Sequence, residues 1–204
     1  MKDPQTTYIP SVEAIQAAAE KLKGIASVSP LEKHIRFSEK YQCNMLFKRE
    51  DLQQVRSYKI RGAYNKISSL SSDETKNGII CASAGNHAQG VALSCNLLKI
   101  KGTIYMPAPT PNQKVEQVKM FGKAYVEVVL VGDTFDDSFL EAMEECKKYG
   151  KPLVHPFNDS KVIEGQGTVG LEIIQQSNVP IDYIFIPVGG GGLASGLSSV
   201  MKAL

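Results

Sequence analysis

The sequence predicts an α/β protein whose parallel strands are covered by helices on both faces. Two observations lead there. From Gly78 onward, short apolar runs alternate with helical periodicities, the signature of βαβ units. The run Gly189-Gly190-Gly191-Gly192 then follows a β-branched and aromatic stretch and precedes a new helical pattern, as a strand-to-helix binding turn does.

Element by element, Ser11 reads as an N-cap with Glu13 in the first turn. Val12, Ile15, Ala18, Ala19 and Leu22 form the apolar stripe of a helix ending at Gly24. Ser29-Pro30-Leu31 turns into a short polar extended piece, and Asn44 to Lys48 reads as a strand. A charged connector from Arg49 to Arg56 leads to a helix opened by Lys59, with Ile60, Ala63, Tyr64, Ile67 and Leu70 as its pattern. Strands follow at Ile79–Ala82, Thr103–Met106 and Ala124–Leu130. The intervening helices carry Ala88, Val91, Ala92, Cys95 and Leu98, then Val115, Val118 and Phe121 behind a Thr110 cap and an N1 proline at Pro111. A helix after Gly132-Asp133 carries Phe135, Phe139, Met143 and Cys146, and residues 152–155 are extended. Asp159 or Ser160 caps a helix through Val162, Ile163, Val169, Ile173 and Ile174. Asp182 to Val188 reads as the last strand, and the last helix runs from about Gly192 through Leu197 and Val200.

A chain of 204 residues buries a full core in one or two domains. Its 23 basic and 21 acidic residues are interspersed, so no basic block marks a nucleic-acid or membrane surface. The start, MKDPQTTYIP, has no apolar core of a leader, and no apolar run approaches a membrane span. Cys43, Cys81, Cys95 and Cys146 lie far apart in apolar segments, which suits buried thiols in a reducing cytoplasm. His34, His87 and His155 have no partners at ligand spacing, and no metal site is expected.

Three stretches carry chemistry. Lys59 in a first helical turn meets the positive end of the helix dipole, which favours the neutral, nucleophilic amine. Taken alone, this stretch reads better as a solvated lysine on a surface helix. The four glycines allow close backbone approach, and their N–H groups with a helix N-terminus suit a phosphate better than a linker role. They match neither GxGxxG nor GxxxxGK[ST], against a dinucleotide or nucleoside-triphosphate site. Ser83-Ala84-Gly85-Asn86-His87 is equally a helix cap or a ligand loop at the carboxyl end of a strand.

Together, Arg56-Ser57-Tyr58-Lys59, Ser83 to His87 and Gly189 to Leu193 resemble, in order, the serine/threonine dehydratase family. These are pyridoxal-phosphate enzymes of the tryptophan-synthase-β type (fold type II), and the threonine dehydratase (threonine ammonia-lyase) branch is most similar. The resemblance implies that Lys59 forms the Schiff base with pyridoxal 5'-phosphate and acts as general base. It gives Gly189, Gly190, Gly191, Gly192 and the Leu193 amide the cofactor phosphate, and Asn86 the ring hydroxyl oxygen. Ser83, Ala84, Gly85, Asn86 and His87 take the substrate side, with His87 read mainly as a structural hydrogen-bonder. Tyr58 is either a neighbour of the cofactor ring or ordinary core. Arg61 and Glu50 hold the connector, and Gly165-Gln166-Gly167-Thr168 serves close packing without direct chemistry.

The resemblance further implies a large domain from residues 1–80 and 153–204 with a small domain, 81–152, inserted. The implied reaction is dehydration and deamination of L-threonine to 2-oxobutanoate and ammonia in isoleucine biosynthesis, with L-serine as a second substrate. The implied protein is a cytoplasmic homo-oligomer when full length. The alternatives are a serine racemase or serine dehydratase, and a noncatalytic cofactor-binding fragment. Family members continue past the glycines, so a chain ending at Leu204 reads as truncated, and the group facing the pyridine nitrogen has no candidate here.

Overall fold

The computed structural model describes residues 8–204. Residues 1–7, which hold most of the start read for a leader and the beginning of the 1–80 segment, lie outside the described residues.

Helix α1 (Val12–Lys21) begins where Ser11 Oγ accepts the Ala14 N–H at 3.2 Å, and it buries Ile15 and Ala18. It stops before Gly24, which takes φ +76° in the following turn. Strands β1 (Leu31–Lys33) and β2 (Leu46–Lys48) pair antiparallel, β2 starting two residues later than expected. Between them lies α2 (Ile35–Tyr41), capped by His34 Nδ1 accepting from Phe37 N. Its sequence, IRFSEKY, is too short and too mixed to show a stripe.

Helix α3 (Lys59–Ile67) opens at the lysine, and α4 (Ser72–Thr75) is a single capping-box turn between Ser71 and Glu74. The parallel sheet follows: β3 (Ile79–Ala82), β4 (Gly102–Met106) and β5 (Val126–Leu130), in the order β3-β4-β5, with Leu153 bridging to Ile80 on the outer side of β3. Period-two alternation sends its side chains to opposite layers. Ile79, Cys81, Ile104 and Met106 pack with α5 (Asn86–Leu98) and α6 (Asn112–Gly122). Ile80, Ala82 and Tyr105 pack against Ala142, Phe139 and Cys146 of α7 (Phe135–Tyr149). Helices therefore cover both faces, as expected. No helix among the described residues is long and apolar enough to cross a membrane.

Helix α8 (Ser160–Gln176), capped by Asp159, lies between α3 and α9 (Gly192–Ala203) and also touches α1. The α3–α8 crossing is a backbone contact: a Cβ on Gly165 would lie 2.5 Å from the Arg61 carbonyl oxygen. Close packing is thus what Gly165 provides.

Some expectations need correction. Residues 182–188 form no strand. The alternation is present, since Ile184 and Ile186 dock beside Val169, Ile173 and Leu197 while Tyr183 and Phe185 are 84% and 88% exposed. What is missing among the described residues is a neighbouring strand to complete a ladder. β5 starts at Val126 because Lys123–Tyr125 is a 3-10 turn, and Pro111 is the cap of α6, not its first residue. Of the four cysteines, Cys81 and Cys95 are buried, but Cys43 is exposed in the turn after α2 and Cys146 is partly covered.

One polar cluster ties these parts together. The Arg61 side chain, on a residue 1% exposed, donates to Glu50 (2.7 and 2.8 Å), Glu172 (2.6 and 3.0 Å), Thr168 Oγ1 and the Ser27 carbonyl. Lys48 Nζ reaches the same Glu172 at 2.5 Å, so two cations balance two carboxylates. Burial opposes ionisation of Glu50, but the Arg61 guanidinium outweighs it and holds the carboxyl below its usual range. Arg61→Ala leaves both carboxylates facing a void, and urea denaturation should show a loss of about 3–5 kcal/mol. A loss below about 1 kcal/mol would show the cluster to be dispensable.

Candidate active site

Lys59 occupies the first position of α3 because the connector before it is pinned: Gln53 bonds both backbone groups of Ser27, and Arg61 grips Glu50. On its other flank α5 presses close, so that a Cβ on Gly90 would lie 3.0 Å from the Lys59 carbonyl carbon and oxygen. The lysine backbone is therefore clamped, and only the side chain has freedom. Its Nζ donates to the Pro156 carbonyl at 2.9 Å and lies 5.4 Å from the Tyr58 ring centroid.

The Lys59 amine has its pKa lowered, and burial is the cause. The sequence pointed to the right direction through the helix dipole, whereas desolvation is the dominant effect. A neutral amine is the form that attacks carbonyl carbon.

Opposite Lys59 stands the glycine turn. Gly191 takes φ +85° to let the chain swing into α9, and the side of Gly190 is filled by Phe157, whose Cγ would lie 2.1 Å from an added Cβ. Together Tyr58, Lys59, Pro156, Phe157, Gln166, Pro187 and Gly189 to Leu193 line a cavity of about 100 Å³. That is well below the several hundred Å³ of sites enclosing a drug-sized ligand, and it suits one end of a cofactor. Pro156, Phe157, Gln166 and Pro187 were not foreseen as lining residues. The His-Pro pair was the available signal, since His155 Nδ1 accepts from the N–H groups of Phe157 and Asn158 and shapes the turn that aims Pro156 at the amine.

Ser83, Ala84, Gly85 and Asn86 lie at the β3–α5 junction and do not line this cavity. They lie about one turn of α5 before Gly90, the residue that rests on the Lys59 backbone. Ser83 Oγ accepts from Gly85 N, Asn86 is exposed at the head of α5, and the space around Gly85 is open. His87 is buried, with Nε2 2.9 Å from the Val154 carbonyl. Burial pushes its pKa down to about 4, so near neutrality Nε2 carries the proton and donates it. His87 thus holds residues 153–156 in place, the structural role read from the sequence.

A half-buried amine and a run of backbone amides thus line one cavity of an α/β fold, an arrangement that suits a ligand with both an anionic group and a carbonyl. The family model for pyridoxal-phosphate-dependent enzymes matches residues 23–204, and the chain belongs to that family. Its fold is the tryptophan-synthase-β-like one expected from the sequence.

The chain is 54% identical over 193 residues to the biosynthetic L-threonine dehydratase IlvA of Halalkalibacterium halodurans, an alignment covering 95% of this chain and 46% of that protein. With the enzyme of the same name from Bacillus subtilis the identity is 49%, covering 94% and 45%. Among solved structures, the processed form of threonine deaminase isoform 2 from Solanum lycopersicum superposes with a TM-score of 0.87 at 44% identity, covering 96% of this chain and 54% of that one. Maize serine racemase gives a TM-score of 0.90 at 32% identity, covering 96% and 58%. The chain spans about half the length of the curated relatives it matches.

The residues present fit pyridoxal phosphate. The glycine turn and the first amides of α9 offer donors for the phosphate, the Lys59 amine, whose charged form burial disfavours, suits the aldehyde, and the Gln166 amide on the same cavity wall is buried without partners.

The buried histidine has a measurable consequence. An unfolded imidazole takes its proton near 6.5, whereas folded His87 resists until about 4. Between those values the unfolded chain binds more protons, so stability falls as pH falls through that window, by up to about 1.4 kcal/mol per unit. Half-buried His155, also lowered by burial, acts in the same direction. Urea midpoints measured from pH 7 to pH 4 should fall less steeply for His87→Gln than for the parent chain, and parallel curves would remove His87 as the cause.

Proposed function

We propose that the protein containing this chain is an L-threonine dehydratase that converts L-threonine to 2-oxobutanoate and ammonia, with L-serine as a second substrate. The observation that carries this reading is the half-buried Lys59 amine sharing one cavity with the Gly189–Gly192 turn. The choice of threonine is supported by the names of the relatives at 49–54% identity.

In this reading the backbone N–H groups of Gly189, Gly190, Gly191, Gly192 and Leu193 hold the cofactor phosphate at the head of α9. Tyr58 covers one side of the cofactor ring, and Asn86 donates to its ring oxygen. Ser83, Ala84, Gly85, Asn86 and His87 form the loop at the head of α5 that receives the substrate carboxylate through its N–H groups. Pyridoxal phosphate, when bound, supplies the electron sink that lets an α-proton leave an amino acid. Lys59 removes that proton, and its partial burial favours the neutral amine that can act as base. The β-hydroxyl leaves with that proton, returned from Lys59, as water, and an enamine remains. Once free, the enamine takes up water and gives the 2-oxo acid and ammonia.

We also read residues 81–152 as a small domain set into a larger one formed by 1–80 and 153–204. The grouping of β4, β5, α5, α6 and α7 around one sheet favours that division, although the core of the sheet also takes in Ala63, Ile67 and Val154 of the larger part. Serine racemase is the second reading, favoured by the 0.90 TM-score to the maize enzyme. Its product, D-serine, separates it from dehydration.

The test is to add pyridoxal phosphate to the purified chain, reduce with borohydride and map the modified peptide. The label should fall on Lys59 and vanish in Lys59→Ala. A folded chain that takes up no label, or carries it on another lysine, sinks the reading. In the full-length protein, L-threonine should yield 2-oxobutanoate and ammonia in equal amounts, and Lys59→Ala should lower the rate by at least about 10³-fold. D-serine as the main product from L-serine would favour the racemase.

A further inference from the structure

Gln166 was read from the sequence as part of a packing motif. It is 0% exposed, yet neither its side-chain Nε2 nor its Oε1 has a hydrogen-bond partner. Buried amides are normally paired, so an unpaired one on a cavity wall points to something that occupies the cavity.

Its position is fixed from the opposite helix. A Cβ on Gly62 would meet Gln166 Nε2 at 2.4 Å and Cδ at 2.9 Å, so glycine at 62 is what admits the amide. Lys59 and Gly62 are three residues apart on α3 and share a face. The amide therefore lies along the same flank of the helix as the lysine and lines the same cavity as the glycine turn. Among the described side chains on that wall, only those of Tyr58, Lys59 and Gln166 have N–H or O–H donors, and the Lys59 amine is engaged with Pro156. That leaves the Tyr58 hydroxyl, on a half-buried residue that water can reach, and the Gln166 N–H₂ group, which is wholly buried and so depends on an occupant of the cavity.

We infer that Gln166 is a phosphate-binding residue: its side-chain N–H₂ donates to an oxygen of the phosphate held by the Gly189–Gly192 turn. This rests on the cofactor reading above and extends it to a side chain of α8. Gly62 and Gln166 then form a matched pair, the glycine making room for the donor.

The test compares parent, Gln166→Met and Gln166→Glu chains in binding pyridoxal phosphate, pyridoxal and inorganic phosphate, with circular dichroism reporting folding. Methionine keeps the length and removes the donor. It should weaken pyridoxal phosphate and inorganic phosphate on the order of ten- to a hundredfold, the value of one hydrogen bond to a charged group. Borohydride-trapped pyridoxal on Lys59 should be unchanged, because that aldehyde lacks the phosphate. Glutamate should weaken phosphate further by placing a carboxylate against it.

Equal losses for pyridoxal and pyridoxal phosphate overturn the inference. So does unchanged phosphate affinity with lowered stability, the result expected if a buried water satisfies the amide. If Gln166→Met does not fold, Gln166→Asn, which withdraws the amide by one methylene, carries the same comparison. A parent chain that binds inorganic phosphate but places no aldehyde on Lys59 sinks the cofactor reading alone, and the methionine variant's phosphate affinity still decides the role of Gln166. A parent chain that binds no phosphate overturns both.

Discussion

The guanidinium of Arg61 is the constraint on which the rest of the molecule depends. It sits two residues after Lys59 and carries its charge into the protein interior, where an unpaired cation is not tolerated. The sequence answers with carboxylates from two distant places, Glu50 in the connector and Glu172 on α8. Satisfying one side chain therefore fixes the approach to α3, the rotation of α3 and the position of α8 together. Lys48 on β2 completes the charge balance through Glu172, bringing the small antiparallel ribbon into the same arrangement.

From that fixed frame the properties of Lys59 follow. Its backbone is held between α5 and the connector, with glycine at position 90 removing the side chain that would push α5 away. The amine must then project into the space enclosed by Pro156, Phe157 and the glycine turn, where burial favours its neutral form. The shift of the amine toward its neutral form is set by where the backbone places it. The same helix that carries the lysine leaves a gap at Gly62, and α8 fills that gap with the amide of Gln166.

The alternation of strands and helices was legible from apolar spacing, because β3 and most of β4 are buried on both faces and the longer helices around the sheet carry apolar stripes. The glycine turn was legible because four consecutive glycines between an extended run and a helix have few other uses. Lys59 was not legible from its own surroundings, which suit a surface helix; its importance came from resemblance, and its burial comes from segments about 100 residues away in sequence. Residues 182–188 show the limit of pattern reading. Alternation encodes which side chains turn inward, but a strand exists only when another strand accepts its hydrogen bonds. The lining residues Pro156, Phe157, Gln166 and Pro187 were missed because cavity walls are assembled by tertiary packing, and no local period marks them.

The hydrogen bond from Lys59 to Pro156 joins residues 97 apart in sequence. Contacts of such span form only after a large loop has closed, so the cavity cannot exist in a partly folded chain that has only its local helices and the β1–β2 pair. Anything that binds across the lysine and the glycine turn ties early and late segments together, and it binds the native state alone. Occupancy then adds to conformational stability as the logarithm of free ligand concentration. For this architecture, supply of the vitamin-derived cofactor and survival of the folded chain are two readings of one equilibrium.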